Sequence, residues 1–379
     1  MGMRRLSIVD LPGGSQPVWN EAQNLAVIFN GEIYNFRELR LELESRGHRF
    51  HTRSDTETIV HAYEEWGASC AGRLRGMFAF AVVEMPLGPA GPTARVFLAR
   101  DSLGIKPLYY AAAGGRLIFA SEVRALLASG CIAARLEPAA IPAYLLFGSV
   151  CEPLTLVEGV RSLPPGYSMM VEAGAPIVNV EAVRYWHFTL PDVHKARAAT
   201  AEAQHVQGTD EPSHRVRALL EDAVATHLVA DVPVGVFLSS GLDSTALAAL
   251  ASRVQRGIHT FTVAFTDRAF SEAEIARRTA KALGTEHSEL TLRWGDGRPP
   301  RQSYFFVRPT QHGRHQYVFR FLGGAPGGFE GGAFRIGQRR TFWRVLIVSR
   351  YAQGCASHGR GAHVAAWAAQ HAGSRIRRG

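Results

Sequence analysis

The stretch Val236-Phe237-Leu238-Ser239-Ser240-Gly241-Leu242-Asp243-Ser244-Thr245 decides how the second half of the chain folds. An apolar run ends at Leu238, hydroxyl residues and a glycine follow, and a helical pattern begins at Ser244. A buried strand that turns directly into a helix is the repeating unit of a parallel, doubly wound sheet. We therefore expect an α/β architecture here.

The flanking sequence continues this alternation of helical periods and short apolar runs. In chain order the pattern predicts a helix over His214–Leu228, a strand over Val234–Leu238, a helix over Ser244–Val254, a strand over Ile258–Phe265, a helix over Ser271–Leu283 and a strand over His287–Leu292. Residues 188–212 lose periodicity before this region, which predicts a linker.

The Ser239–Ser244 loop has the composition of a phosphate-binding turn. Small residues let backbone N–H groups close around an anion, and the following helix directs the positive end of its dipole to the same point. Ser239, Ser240 and Ser244 add hydroxyl donors, and Asp243 offers a carboxylate for Mg²⁺. A plain strand-to-helix turn, with Asp243 serving only the helix N-terminus, is the alternative that the residues leave open.

The first half of the chain is organised differently. Asn35 is positioned to cap a helix over Phe36–Ser45, and Ser54 with Glu57 predicts a capping box before a second helix through Trp66. Short strands are predicted over Leu25–Asn30, Met77–Val83, Val96–Ala99, Leu108–Tyr110 and Leu117–Ala120. Many short strands around two helices favour a layered α+β domain with a largely antiparallel sheet.

The strand over Leu25–Asn30 is expected to end in a turn at Gly31-Glu32. Such a turn presents the Asn30 amide beside a backbone N–H, a pair that suits an oxyanion hole. An ordinary Asn-Gly hairpin turn explains the same residues without any activity.

Five ordered blocks connect the first half to a known family. They are Arg5–Asp10, Asn30–Glu32, Ser54–Glu57, Arg100–Tyr110 and Phe119–Glu122. In this order they resemble the class II glutamine amidotransferase domain of glutamine-hydrolysing asparagine synthetases. Leu238–Ser244 resembles the pyrophosphate-binding loop of the ATP pyrophosphatase superfamily, with Ser240 at a position where that pattern has glycine. The resemblance spans residues 1 to about 292.

The resemblance implies an α+β N-terminal nucleophile (Ntn) layered glutaminase domain, residues 1–187, and an α/β parallel-sheet domain of the adenine nucleotide α hydrolase-like type. Residues 188–212 would be the linker, residues 213–296 the N-terminal part of the ATP-binding domain, and residues 297–379 a disordered tail. The Arg100–Tyr110 block is expected to be structural.

The same resemblance assigns roles to residues. Arg5 would hold the α-carboxylate of glutamine, Asn30 and Gly31 would form the oxyanion hole, and Glu32 and Asp55 would bind the glutamine amino group. The implied ATP site comprises Leu238, Ser239, Ser240, Gly241, Leu242, Asp243, Ser244 and Val263, with Val263 beside the adenine and Asp243 on Mg²⁺.

The implied activity is that of a carbon–nitrogen ligase. It amidates a carboxylate, aspartate by default, through an acyl-adenylate, and takes ammonia from glutamine with ATP and Mg²⁺. The implied protein is cytoplasmic, without a membrane or nucleic-acid partner, and the resemblance allows a homodimer. The family's nucleophile is an N-terminal Cys, which is expected to be missing together with its strand, so impaired activity is expected; a noncatalytic, nucleotide-binding fragment is the alternative.

The charge distribution sets the tail apart. Residues 297–379 carry 14 Arg, no Lys and Glu330 as their one acid, a net charge of +13, against −4 for residues 1–296. A basic nucleic-acid arm is one explanation, although such arms usually mix Lys with Arg. Another is a shifted reading frame, because one encoding of Ile336–Arg344 shifts to Leu-Gly-Ser-Asp-Glu-Leu-Phe-Gly-Gly, the loop that the family pattern requires there.

Sequencing the gene tests the frameshift hypothesis. We expect a single-base shift between the codons of Leu292 and Gly313, with Leu-Gly-Ser-Asp-Glu encoded in the alternative frame. A gene in which the alternative frame is interrupted by stop codons across this region would refute the hypothesis.

Overall fold

The computed structural model describes residues 10, 13–86, 93–173, 181–188, 211–231, 233–265, 271–292, 303–307, 317–321 and 345–346. The chain divides into two compact units, residues 1–217 and 218–379. In the described residues no helix is long and apolar enough to cross a membrane. The described cysteines, Cys70, Cys131 and Cys151, are free thiols.

The first unit contains nine described strands and four α-helices before the gap at 189–210. The strands are β1 (Val18–Trp19), β2 (Leu25–Ile33), β3 (Gly76–Glu84), β4 (Arg95–Arg100), β5 (Tyr109–Ala113), β6 (Arg116–Ala120), β7 (Val160–Ser162), β8 (Tyr167–Glu172) and β9 (Ala182–Arg184). The helices are α1 (Phe36–Ser45), α2 (Asp55–Trp66), α3 (Val123–Ala128) and α4 (Ile141–Phe147), with 3₁₀ turns at Gly67–Arg73 and Pro138–Ala140.

These strands form two antiparallel sheets. The larger has the order β1-β2-β3-β4-β8-β9 and the smaller the order β6-β5-β7. The prediction of a largely antiparallel α+β layer structure is confirmed, because every strand pair of the first unit that the structure describes is antiparallel.

The layers of the first unit follow from which side chains share a core. Leu98 and Met169 of the large sheet pack in one cluster with Tyr110 and Phe119 of the small sheet. Tyr63 of α2 stacks on Phe97 from the other face of the large sheet, with ring centroids 5.2 Å apart. Leu126 of α3 packs with Ala111 and Val160 on the outer face of the small sheet. The order of layers is therefore helix, sheet, sheet, helix.

The second half follows the predicted alternation. After the gap come α5 (Glu211–His227), β10 (Gly235–Phe237), α6 (Leu242–Val254), β11 (His259–Phe265), α7 (Ala273–Leu283) and β12 (Glu286–Leu292). Strands β10, β11 and β12 are parallel neighbours, which confirms the predicted α/β parallel sheet. Val236, Leu238, Leu247 and Ala276 belong to its core cluster.

Three short strands are described inside the predicted tail. They are β13 (Ser303–Val307), β14 (Tyr317–Phe321) and β15 (Val345–Leu346). Strands β13 and β14 form an antiparallel pair, and β15 adds antiparallel to β10. The predicted linker lies almost wholly outside the described residues, as does most of the tail, so both stay predictions.

The expected turn at Gly31-Glu32 is wrong, because β2 continues through both residues to Ile33. Gly31 pairs with Phe78 and Ile33 with Gly76, so the facing strand carries β2 onward. A Cβ on Gly31 would lie 2.0 Å from the Met77 carbonyl oxygen and one on Gly76 2.2 Å from the Glu32 carbonyl oxygen. Glycine at these two positions permits the close pairing that replaces the turn.

The helix boundaries were predicted well and one cap was not. Helix α1 begins at Phe36 as expected, but the Asn35 side chain accepts the Arg75 amide and donates to the Arg73 carbonyl instead of capping it. The Ser54 hydroxyl does cap α2, by accepting the Thr56 amide at 3.1 Å. Glu57, the expected second half of the capping box, instead accepts the amides of His51 and Thr52, each at 2.7 Å.

Candidate functional site

Two buried carboxylates meet where β2 ends and α2 begins. Glu32 lies on β2 and Asp55 is the first residue of α2, and each is only 4% exposed. One Asp55 oxygen accepts the Ile33 amide at 3.0 Å, and the Ser54 hydroxyl lies 3.4 Å from the other. The cluster is therefore held between the sheet and the N-terminus of a helix.

The two carboxylates have different electrostatic states. Burial, together with the neighbouring charge of Asp55, raises the pKa of Glu32 to about 8, and Lys106 offsets only part of this rise. The Glu32 Oε2 atom is buried without a hydrogen-bond partner. Burial in turn lowers the pKa of Lys106. Glu32 is therefore protonated near neutral pH.

Asn30 and Gly31 immediately precede this cluster on β2. The Asn30 Nδ2 group lies 3.4 Å from the Ser121 hydroxyl, a long contact that leaves the amide free to turn toward a ligand. Because Gly31 pairs closely with β3, Asn30 and Glu32 project to the same side of the strand, two residues apart. The structure thus places an amide donor and a carboxylate together.

Gln16 supports this part of β2. Its amide donates to the Phe29 carbonyl at 3.0 Å and accepts the Phe29 backbone N–H at 2.7 Å. One side chain thereby supplies both hydrogen bonds that a neighbouring strand would make with Phe29. The position of Asn30, the next residue, is fixed by this contact.

The Arg100–Tyr110 block is structural, as expected. The Asp101 carboxylate accepts four backbone amides, those of Phe78, Leu103, Ile105 and Lys106. The Arg100 guanidinium donates to the Leu163, Lys106 and Gly104 carbonyls and to Glu152 and Ser162. The block also supplies Lys106, whose charge acts on Glu32.

The sequence identified only part of this site. Of the predicted glutamine-binding residues, Asn30, Gly31, Glu32 and Asp55 are brought together, and Arg5 lies outside the described residues. Gln16, Lys106 and Ser121 were missed. Lys106 and Ser121 lie in the matched blocks. The resemblance indicated that these segments belong to the domain, but it assigned no chemical role to either residue.

The second candidate site is the loop from Ser239 to Ser244. Helix α6 begins at Leu242 with Gly241 as its N-cap, and Asp243 lies exposed in the first turn. The Ser244 hydroxyl contacts the Ser239 hydroxyl at 2.8 Å and donates to the Gly241 carbonyl at 3.0 Å. The Gly241 amide donates to the Ser239 hydroxyl at 3.2 Å. Ser239 and Ser244 therefore shape the loop by bonding within it.

Ser240 is directed outward from this closed loop. Its hydroxyl donates to a Glu272 carboxylate oxygen at 2.8 Å, and its amide lies 3.4 Å from the other oxygen. The donors at the start of α6 thus face an anionic group supplied by the chain itself. Nothing in the sequence pattern identified Glu272 beforehand.

The remaining predicted residues are Leu238, which follows β10, and Val263 on the neighbouring strand β11. The Leu238 carbonyl accepts the Thr262 hydroxyl at 2.6 Å, and the Leu238 amide donates to the Phe261 carbonyl at 2.8 Å. Val263 follows directly on β11 and pairs with Leu290 of β12. The structure therefore brings the loop and Val263 to one end of neighbouring strands.

The substitution Glu32→Gln is expected to stabilise the protein increasingly as pH rises. The folded pKa is about 8 against 4.5 for the free side chain, so folded Glu32 keeps a proton that the unfolded chain releases, and the wild type loses stability through that window. The variant should gain roughly 2–4 kcal/mol over the wild type between about pH 5 and pH 8.

Urea unfolding followed by tryptophan fluorescence at several pH values measures this difference. Glu38→Gln, which removes an exposed acid from the first turn of α1, is the matched control. If the difference in unfolding free energy between Glu32→Gln and the wild type does not change with pH, this result would contradict the raised pKa of Glu32.

Comparisons with known proteins agree with this division of the chain. A family model described as glutamine amidotransferase domain matches residues 1–186, and one described as asparagine synthase matches residues 215–306. "Asparagine synthetase [glutamine-hydrolyzing] 1" of Bacillus subtilis is 37% identical over 287 residues, which cover 76% of this chain and 42% of that protein.

Two further relatives show the range of names. "Asparagine synthetase [glutamine-hydrolyzing] 3" of Bacillus subtilis is 32% identical, covering 77% of this chain and 47% of that protein. "Amidase chry2" of Gibberella zeae is 32% identical, with coverages of 76% and 42%. The chain thus spans less than half the length of the relatives it matches. The chain belongs to the glutamine-hydrolysing asparagine synthetase family, whose glutamine amidotransferase domain and part of whose asparagine synthase domain it carries.

Proposed function

We propose that the chain belongs to an ATP-dependent ligase that forms a carbon–nitrogen bond with nitrogen from glutamine. The observation that carries this proposal is the pair of buried carboxylates, Glu32 and Asp55, beside the Asn30 amide in a domain matched by the glutamine amidotransferase model. A substrate ammonium group supplies a cation to the Glu32 Oε2 atom, which is buried without a hydrogen-bond partner. The relatives named asparagine synthetase support the same reaction class.

The glutamine subsite follows from the chemistry of these groups. Glu32 and Asp55 bind the α-ammonium group, and the uncompensated Glu32 Oε2 atom is the acceptor that the substrate satisfies. Arg5, by its planar fork, is suited to the α-carboxylate. Asn30 and Gly31 donate to the oxygen that develops negative charge when the side-chain amide is attacked.

We propose the finer fold types on the same basis. The helix–sheet–sheet–helix order of the first unit supports an Ntn-type glutaminase domain. The parallel order β10-β11-β12, with a hydroxyl-rich turn after β10, supports an adenine nucleotide α hydrolase-like domain. Ligands of such open parallel sheets bind at the carboxyl ends of the strands, where the Ser239–Ser244 loop lies.

The ATP subsite uses the loop and the first turn of α6. Ser240 and the helix N-terminus would face the pyrophosphate, while Val263 would lie beside the adenine. Mg²⁺ fits this donor set, because it is commonly held by one or two carboxylates together with substrate phosphates, and Asp243 offers an exposed carboxylate there. When bound, Mg²⁺ would neutralise phosphate charge during transfer.

The acceptor is a carboxylate, with aspartate as the choice that most of the relatives' names support. One relative is named an amidase, so the proteins similar to this chain do not all carry the name asparagine synthetase. The carboxylate attacks the α-phosphorus of ATP and pyrophosphate leaves, which gives the acyl-adenylate. Ammonia then attacks the acyl carbon and AMP leaves. In this scheme the described residues bind, orient and balance charge, so catalysis rests on positioning.

Glutamine binding tests the first subsite. Calorimetric titration of the full chain with L-glutamine should give an affinity that rises up to about tenfold per pH unit from about pH 6.5 to 8, because ammonium binding requires ionised Glu32. Asp55→Asn keeps an acceptor for the Ile33 amide but removes the charge, and should weaken binding by roughly 30-fold or more.

Glu38→Gln is again the control, since it removes an exposed acid from the first turn of a neighbouring helix. Equal affinities in Asp55→Asn and the control would exclude the carboxylate pair from glutamine binding. An affinity that falls as pH rises would exclude Glu32 as the ammonium ligand.

The contact between Ser240 and Glu272 predicts a competition at the ATP subsite. Pyrophosphate must replace the Glu272 carboxylate at the Ser240 hydroxyl, so Glu272→Gln should strengthen metal-free pyrophosphate binding by about 3–30-fold, the effect of removing one like charge. Ser240→Ala should weaken it. The control is Glu274→Gln, which removes an exposed acid in the first turn of the same helix, α7.

Equilibrium dialysis with labelled pyrophosphate, with and without Mg²⁺, distinguishes the two roles open to Glu272. Stronger binding in both conditions supports competition. Weaker binding of Mg²⁺-pyrophosphate in Glu272→Gln would instead make Glu272 a metal ligand and contradict the prediction.

A further inference from the structure

A cluster of two histidines and two glutamates lies apart from both sites described above. Its members are Glu21, His48, His61 and Glu64, whose ligand atoms all lie within 4.8 Å of one another. Glu21 belongs to the turn between β1 and β2, His48 to the segment between α1 and α2, and His61 and Glu64 to α2. Three segments of the first unit therefore converge on one point.

His61 gives the strongest indication that the cluster is a binding site. Its side chain is completely buried, and neither ring nitrogen has a hydrogen-bond partner. A buried polar group normally finds such a partner, and leaving one unsatisfied costs on the order of 1–3 kcal/mol. The His61 ring is held in place by Phe50 and His48, with centroids 4.6 Å and 5.1 Å away.

Three of the six spacings between the ligand atoms are close to those of metal ligands around one ion. The His61 Nδ1 atom lies 3.5 Å from Glu21 Oε2 and 3.5 Å from Glu64 Oε2, and His48 Nδ1 lies 3.6 Å from the same Glu64 oxygen. These distances exceed good hydrogen bonds, which are about 2.7–3.2 Å. Zinc bonds of about 2.0–2.1 Å in a tetrahedron place neighbouring ligand atoms about 3.3–3.4 Å apart.

Three of the atoms that point away from the cluster are engaged, and the fourth, His61 Nε2, lies 3.7 Å from Glu57 Oε1. Glu21 Oε1 accepts the Arg49 amide at 2.6 Å, and Glu64 Oε1 accepts the Asn20 side-chain amide at 3.0 Å. His48 Nε2 lies 3.3 Å from Glu65 Oε2, to which it can donate. Such outer hydrogen bonds orient the ligands of protein metal sites.

We propose that Glu21, His48, His61 and Glu64 form a structural site for a divalent transition-metal ion, with Zn²⁺ as the best fit. Two imidazoles and two carboxylates suit zinc, whereas Mg²⁺ and Ca²⁺ prefer ligands that are all oxygen. Because the protein fills all four positions, the site stabilises structure. The ion would fasten the β1–β2 turn and the segment after α1 to α2, and it can enter from solvent, since Glu21 and Glu64 are 33% and 32% exposed.

A proton is the competing occupant. Although burial lowers it, the neighbouring carboxylates of Glu57, Glu64 and Glu21 raise the pKa of His61 to about 9. A protonated His61 would satisfy the charge of the carboxylates without any metal. Direct measurement of metal binding separates the two.

The test uses the full chain after treatment with a chelator that is then removed. Zn²⁺ titrated against a chromophoric competitor should bind the wild type in one tight equivalent that raises the melting temperature, and Co²⁺ should give the visible absorption of tetrahedral coordination. His48→Gln and Glu64→Gln should lose this equivalent. His51→Gln, which changes an exposed histidine in the same segment, should keep it.

Glu65→Gln provides a second measure that does not depend on a ligand being replaced. Its exposed side chain contacts only the far nitrogen of His48 in this cluster, so the variant should fold and bind Zn²⁺ about 10–100-fold more weakly. The absence of a tight equivalent in the wild type would overturn the proposal. So would binding to His48→Gln that equals binding to His51→Gln.

Discussion

The hydrogen bond from the Ile33 amide to the Asp55 carboxylate is the constraint on which the first unit's site depends. It joins the last residue of β2 to the first residue of α2 at 3.0 Å. A backbone amide, the helix N-terminus and the nearby Ser54 hydroxyl stabilise negative charge on Asp55. Glu32 has no comparable donor on Oε2, so the proton resides on Glu32. The two carboxylate side chains therefore have different electrostatic roles, which are set by the positions of β2 and α2.

The same helix also explains where the proposed metal site lies. Helix α2 buries Ile59, Val60 and Tyr63, and the Tyr63 ring stacks on Phe97 of the large sheet. His61 and Glu64 lie one turn apart on a different face, which meets the β1–β2 turn. An interaction that fastens this turn to α2 also fixes the strand to which the turn leads, and β2 carries Asn30, Gly31 and Glu32. The positions of the residues in the proposed glutamine subsite are thus set from both ends of β2.

The sequence predicted elements well and contacts poorly, for a physical reason. Apolar periodicity determines which face of an element is buried, so α1, α2 and the parallel strands β10 to β12 were found close to their observed bounds. The local signal at Asn30-Gly31 predicted a turn, but the strand continues because Gly76 on the facing strand permits close pairing. Asn35 carried the local signal of a helix cap, yet its side chain bonds with Arg73 and Arg75, about forty residues away. Long-range partners such as Lys106 and Glu272 leave no local pattern, so only the fold could identify them.

Both candidate sites follow one electrostatic rule. A site built for a charged ligand must balance its own charge when no ligand is bound, because uncompensated buried charge is costly. At the carboxylate pair the proton on Glu32 takes the place of an ammonium group. At the loop before α6, the Glu272 carboxylate takes the place of a phosphate oxygen at Ser240. In the proposed function, binding at either site is an exchange, in which glutamine would release a proton and pyrophosphate would displace a carboxylate. The affinity for each ligand then depends on how strongly the chain holds the group that the ligand would displace, which is the proton on Glu32 in one site and the Glu272 carboxylate in the other. Asp55 sets this strength in the first site, and the position of α7 sets it in the second.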